Sequence, residues 1–199
     1  MLGLAINPSL IWSAGTVFQY PEEESWLAYQ QEIELLLDWG VQAGIPGARE
    51  VKKQLSTGDF DISQVQVDYT GLFINSFPGM KVHPFAGWYL GDECMFGEVE
   101  EKVRQLYFQH GILMDENNTM PADSIAVEME FLGIVAEDYA CSKDNYHGAL
   151  AEMMDHLEDW VFTFLKDMKQ NAETCFYKTL ASIVYNFLMV LRKDIKGVA

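Results

Sequence analysis

Apolar positions along this chain recur every three to four residues over long stretches, and nowhere do they alternate cleanly with a period of two. The segment PEEESWLAYQQEIELLLDWG, residues 21 to 40, opens on Pro21 and three glutamates, as a helix N-terminus favours, and ends at Gly40, a natural stop. In DISQVQVDYTGLFINSF, residues 61 to 77, Val65, Tyr69, Leu72 and Phe73 share one face. In ECMFGEVEEKVRQLYFQHG, residues 93 to 111, Val99, Val103 and Leu106 form an inner stripe, while Glu98–Lys102 and Glu100–Arg104 are spaced for pairing one turn apart. Two long helices close the chain. Tyr146, Leu150, Met153, Leu157, Trp160 and Phe164 line one face of the first; Ala172, Phe176, Leu180, Ile183, Phe187 and Leu191 line much of the second. The pattern predicts an all-α fold, one helical domain over residues 1–199 built from about eight to ten helices, with a hinge expected near 111–122.

One segment resists helix. NSFPGMKVHPFAGWYLGD, residues 75 to 92, has two prolines and three glycines, yet also Phe77, Phe85, Trp88 and Tyr89. Long loops in compact domains are uncommon and often functional. Its aromatics either pin the loop to the core or form a binding surface, and both readings stay open.

Charge sharpens the picture. The net charge is −17, and residues 1–142 hold 22 of the 30 acids but only 6 of the 13 bases. Between Gln105 and Ser142 there are seven acids and no Lys or Arg. Such a surface repels nucleic acid and anionic membranes and attracts basic partners, unless it serves solubility alone. The first 48 residues contain no Lys or Arg, so no secretory signal is expected, and no window reaches membrane-spanning length. Cys94, Cys141 and Cys175 lack any C-x-x-C spacing and read as reduced thiols, which points to the cytoplasm.

The stretch MPADSIAVEMEFLGIV, residues 120 to 135, carries the sharpest question. Pro121 and Asp123 open a helix that is apolar nearly throughout, yet Glu128 and Glu130 sit inside it, about 200° apart on a helical wheel. Counted from Asp123, Glu130 and Glu137 recur every seven residues as an acidic stripe facing solvent or a basic partner. Glu128 projects elsewhere, between Ser124, Phe131, Leu132 and Val135. It is expected to be half-buried and to need a donor, either as a structural brace or as the floor of a peptide site. His156 lies at the edge of an apolar face, one turn before Trp160; Trp160 and Phe164 are assigned to the core.

Common catalytic signatures are absent: no Walker A loop, no G-x-G-x-x-G, no G-x-S-x-G and no H-E-x-x-H. The four histidines do not cluster at ligand spacing, so no metal and no cofactor is expected. The enzymatic alternative is a Mg²⁺-dependent all-α hydrolase using Glu98, Glu101, Glu128 and Asp138. In GEVEEKVR, basic neighbours one turn away favour a solvated face instead.

Several motifs in order resemble the TorD/DmsD/NarJ family of redox-enzyme maturation chaperones along nearly the whole chain. They are VFQYP (17–21), DYTGLF (68–73), the Pro-rich loop reaching Trp88–Tyr89–Leu90, Gly97, PADSIAVEMEF (121–131), HLEDWVFTF (156–164) and AETCFYKTLA (172–181). The resemblance implies a TorD-like helical fold and a cytoplasmic, non-enzymatic protein, monomer or homodimer. Such a protein binds the leader peptide or apo form of a molybdopterin oxidoreductase catalytic subunit until cofactor loading is complete, often before twin-arginine export. It implies a client-binding set of Tyr69, Leu72, Phe73, Trp88, Tyr89, Asp123, Ser124, Glu128, Glu130 and His156. Apolar pockets from the Tyr69–Phe73 face and the Trp88 loop would be rimmed by Asp123 and its stripe. Two positions depart from the family pattern. Ser124 stands where the hallmark has His, and Met120 occupies a place often acidic. A leaderless cytoplasmic client, as for NarJ-like members, therefore stays open beside a leader-bearing one.

Overall fold

The computed structural model describes residues 6–75, 79–92, 95–115, 119–141 and 147–197, so Phe77, Cys94 and Tyr146 lie outside the described residues. Among the described residues there are nine α-helices and no strand, apart from one isolated antiparallel bridge between Phe85 and Ser124. The all-α expectation holds.

Local chemistry sets the boundaries. Asn7 accepts the Ser9 N–H at 3.0 Å and Pro8 takes the first position of α1 (Pro8–Thr16), so the pair that interrupts the opening apolar run is a helix start. The acidic run at residues 22–24 precedes α2 (Trp26–Gln42) rather than forming its first turn. Gly40 does not stop α2. It lets the helix pack on Ile183, whose side chain would stand 2.7 Å from a Cβ at that position. After α3 (Ala48–Thr57), Asp61 caps α4 (Ile62–Tyr69) by accepting the Ser63 N–H at 3.0 Å. A π-helical turn, Thr70–Ile74, continues it. The loop that resists helix contains a short one, α5 (Ala86–Leu90). Then come α6 (Glu98–Gln109), α7 (Ile125–Cys141), α8 (His147–Asn171) and α9 (Cys175–Gly197).

The predicted stripes of α8 and α9 are buried wherever they are described. In α6 the stripe drifts by one position: Val99, Val103 and Tyr107 are buried, and Leu106 is only half-buried. None of the described helices is long and apolar enough to cross a membrane.

The chain forms two compact units, and α1, α8 and α9 each contribute residues to both. The first comprises Met1–Trp12, Pro84–Thr163 and Met189–Ala199; the second comprises Ser13–His83 and Phe164–Leu188. Residues 111–122, where a hinge is expected, fall entirely within the first unit. In the second, Phe176 meets Trp26, Phe60 and Tyr177, and Phe73 packs on Phe164 and Tyr177. Buried Asp68 accepts the backbone N–H groups of Glu173 and Thr174 at 2.9 and 2.8 Å, closing the turn before α9. In the first, Tyr107 stacks on Phe131 at 4.3 Å between ring centres, and Trp12 lies against Gly133 while donating to Glu137 at 2.7 Å.

Candidate functional site

The first unit holds a connected set of polar contacts at the start of α7, beginning with backbone. Pro121, Ala122, Asp123 and Ser124 are all buried. The Ala122 carbonyl accepts the Tyr107 hydroxyl at 2.8 Å, and the Ala122 N–H donates to Glu100 at 3.2 Å. Glu100 also takes Arg104, one turn along α6. The Asp123 carbonyl accepts the Ala86 N–H at 2.9 Å, the Ile125 N–H donates to the Pro84 carbonyl at 3.0 Å, and Phe85 bridges Ser124. Residues 84–87 are thus stitched across residues 123–125. The Asp123 carboxylate completes the seam by accepting the Gly87 N–H at 2.9 Å. Position 87 is tight for anything larger than glycine: a Cβ there would stand 3.1 Å from that carboxylate and 3.2 Å from Asp92, so these side chains would have to give way.

This seam fixes α5. Tyr89 packs against the buried Trp160 with ring centres 5.7 Å apart, whereas its neighbour Trp88 is 55% exposed. Leu90, Met95 and Phe96 are also exposed. Phe96 holds φ at 59°, a left-handed conformation that a bulky residue rarely adopts.

Behind the seam lies Glu128, with no exposed surface. Its Oε1 stands 2.8 Å from His156 Nε2, and its Oε2 accepts the indole N–H of Trp160 at 3.2 Å. Both carboxylate oxygens are therefore held by α8. Burial pushes the Glu128 carboxyl up to about 7, against the charge and hydrogen bonds of His156 and Trp160. Burial alone would lower the pKa of His156, but the Glu128 charge and hydrogen bond outweigh it, and the imidazole is raised. Burial also raises Asp123, while the Gly87 N–H works the other way. The site is a buried carboxylate pair braced by donors, with an apolar surface mounted on it.

Of the residues expected to bind a client, the structure brings Trp88, Tyr89, Asp123, Ser124, Glu128 and His156 into this assembly. Three expectations need correction. Asp123 is not the head of a surface stripe, because α7 begins only at Ile125 and Asp123 turns inward to Gly87. Glu130 and Glu137 are exposed as expected. Glu128 is wholly rather than half-buried. The Tyr69–Phe73 face does not form an open pocket, since Leu72 and Phe73 are buried and the Tyr69 hydroxyl donates to the Phe18 carbonyl at 2.8 Å. All three belong to the second unit.

Sequence reasoning missed Glu100, Tyr107 and Gly87, and it set Trp160 aside as plain core. A signal existed for the last: a buried indole N–H needs an acceptor, and Glu128 needs a donor. The carboxylates weighed for Mg²⁺ are dispersed. Glu128 is engaged by α8, Glu98 pairs with Lys102, and Glu101 accepts from Gln105. Among the described residues, no three His, Cys, Asp or Glu side chains are grouped to hold a metal.

Known proteins share this architecture. Residues 40–166 match the family model described as nitrate reductase delta subunit. The chain is 28% identical over 131 residues to chaperone protein TorD of Vibrio parahaemolyticus, covering 62% of this chain and 60% of that one. It is 24% identical over 131 residues to chaperone protein TorD of Photobacterium profundum, with the same coverage. The chain thus spans about 60% of the length of these curated relatives. A crystal structure of a redox enzyme maturation protein from Archaeoglobus fulgidus shares the fold, with a TM-score of 0.57 at 23% identity over 95% of this chain and 93% of that one. With the family model matched over more than half its residues, the chain belongs to the nitrate reductase delta subunit family, the TorD/NarJ group.

Proposed function

We propose that this protein is a non-enzymatic cytoplasmic chaperone for a molybdopterin-containing oxidoreductase. In this reading it binds the leader peptide or the apo form of the catalytic subunit and masks apolar surface until the cofactor is loaded. For an exported client, release then precedes twin-arginine translocation. The observation that carries the reading is Trp88, exposed on a helix whose start is fixed by a buried aspartate. An exposed tryptophan on a mobile loop has many uses, but one held by a backbone seam is pre-organised, and pre-organisation lowers the entropic cost of binding. Exposed Leu90, Met95 and Phe96 follow within the next residues, and the strained backbone of Phe96 fits a surface shaped for contact. The family membership and the TorD names of two relatives support the same reading.

The test is affinity capture from the native host with the tagged full chain, once intact and once as Trp88→Ala. Recovery of a molybdoenzyme catalytic subunit by the intact chain, and its loss from the variant, supports the proposal. Equal recovery by both removes α5 from the binding surface.

Ser124 favours a second form of this reading, a leaderless cytoplasmic client. Its side chain is buried and its hydroxyl accepts the Val127 N–H at 3.4 Å, so it caps α7 instead of reaching outward as the hallmark imidazole would. Capture of a client lacking its N-terminal leader, at unchanged yield, distinguishes this form.

A further inference from the structure

Two supports hold α5 within the first unit: its Gly87 N–H donates to the Asp123 carboxylate, and its Tyr89 ring packs against Trp160. Glu128 acts on both. Its Oε2 accepts the Trp160 indole N–H at 3.2 Å, and the charge of Asp123 opposes its ionisation. Glu128 itself is fully enclosed, but the His156 imidazole on its Oε1 is 18% exposed, which gives protons a way in from solvent.

The groups facing this pair are mostly acidic. Asp123 precedes α7, and Asp159 shares α8 with His156. From α6, Glu100 acts on Asp123 and is itself held by Arg104, while burial keeps the Tyr107 hydroxyl neutral. Asp92, which follows α5, lies beside Gly87 and accepts the Val99 N–H at 2.8 Å.

Ionising Glu128 therefore changes both supports of α5 together. The bond from Trp160 becomes charge-assisted and tightens, drawing on the ring that Tyr89 packs against. The new charge also faces Asp123 in surroundings of low polarity, where like charges oppose each other. Asp123 accepts the Gly87 N–H best as a carboxylate, so that bond weakens. A proton on Glu128 removes both effects.

We infer that Glu128 is a positioning residue for α5: its protonated form seats the helix, its ionised form loosens it, and the presentation of Trp88 declines as pH rises. The range is set by burial, which pushes the Glu128 carboxyl up to about 7 against the opposing pull of His156. The linkage is a property of the unbound chain. Its consequence for a client rests on the reading of α5 as the client surface: affinity is several-fold weaker at about pH 8 than at about pH 6.

The test labels the full chain with fluorotryptophan and follows the fluorine resonances of Trp88 and Trp160, assigned through Trp88→Phe and Trp160→Phe, between about pH 5 and 8. Both resonances shift with one midpoint near neutrality, and Glu128→Gln abolishes both shifts. His156→Gln moves the shared midpoint upward, because the imidazole no longer favours the ionised carboxylate. A Trp88 resonance that stays fixed while Trp160 titrates, or that titrates unchanged in Glu128→Gln, overturns the inference. Should Glu128→Gln fail to fold, an unmoved midpoint in His156→Gln overturns it equally. The catalytic subunit recovered by the capture experiment gives the second readout. Affinity that Trp88→Ala abolishes, yet that is equal at both pH values, overturns the control of binding and leaves α5 as the client surface. Affinity indifferent to Trp88→Ala overturns the reading of α5 instead, and the fluorine titration then decides the linkage alone.

Discussion

Glu128 of α7 and His156 of α8 meet at 2.8 Å, with the carboxylate wholly enclosed and the Trp160 indole N–H on its other oxygen. No Lys or Arg shares the contact among the described ion pairs, so the charge of the carboxylate is offset by a group that titrates near neutrality. Both groups bind protons more readily in the folded chain than in their ordinary surroundings: Glu128 rises from 4.5 to about 7, and His156 rises above 6.5.

The pair therefore makes stability depend on pH in a definite direction. The folded state holds more protons than the unfolded one, so stability falls as pH rises. The Glu128 contribution is present below 4.5 and lost as pH climbs through about 7; the His156 contribution is present below 6.5 and lost above it. Thermal melts between about pH 5 and 8 should show a decline that Glu128→Gln flattens, each pKa unit corresponding to about 1.4 kcal/mol. Parallel slopes for the two proteins contradict this.

Trp160→Phe keeps most of the packing volume but removes the donor to Glu128 Oε2. A loss of about 1–3 kcal/mol follows from leaving a buried acceptor unpaired. Trp160→Ala adds a cavity and costs about 3–5 kcal/mol. Denaturant titration separates the two; if Trp160→Phe is neutral, the hydrogen bond contributes nothing.

How much of this was legible can be judged residue by residue. The stripes of α8 and α9 followed from spacing alone, because a helix buries every third or fourth position. The wheel angle between Glu128 and Glu130 correctly implied different surroundings for the two. Asp123 was misread because the wheel counted it as helical, whereas Ser124 caps the helix and Asp123 precedes it. Gly40 read as a stop because spacing does not reveal that Ile183 packs against it. The partners of Glu128 lie 28 and 32 residues away, and only tertiary folding selects them from many candidate donors. The burial of Leu72 and Phe73 was hidden for the same reason: one apolar face looks alike whether it meets a client or Phe164 and Tyr177.

Gly87→Ala tests the seam that holds α5. The added methyl group meets the Asp123 and Asp92 side chains, so α5 should shift while the α7–α8 contacts persist. Client affinity should fall on the order of tenfold with a small change in stability, as expected when an interface anchor is displaced. Trp88→Ala should give the same binding loss with a stability change within about 0.5 kcal/mol, as for an exposed side chain. Unchanged affinity in both variants returns α5 to a purely structural role.

The acidity yields a kinetic prediction. If exposed carboxylates steer a basic client, replacing Glu130 and Glu137 by Gln should slow association and flatten its salt dependence, since screening sets in over about 8 Å at physiological ionic strength. Glu22, Glu23 and Glu24, exposed in the second unit, are the control. Equal on-rates for both sets leave the charge to solubility.

Whether α5 and its seam form a client surface is read most directly by hydrogen exchange on the complex. The full chain, alone and with a purified apo molybdoenzyme catalytic subunit, is compared amide by amide. Protection should increase across residues 86–90 and around residues 95–97, and Trp88→Ala should abolish it. Protection confined to other parts of the chain, with α5 exchanging as fast as in the unbound protein, would contradict that role.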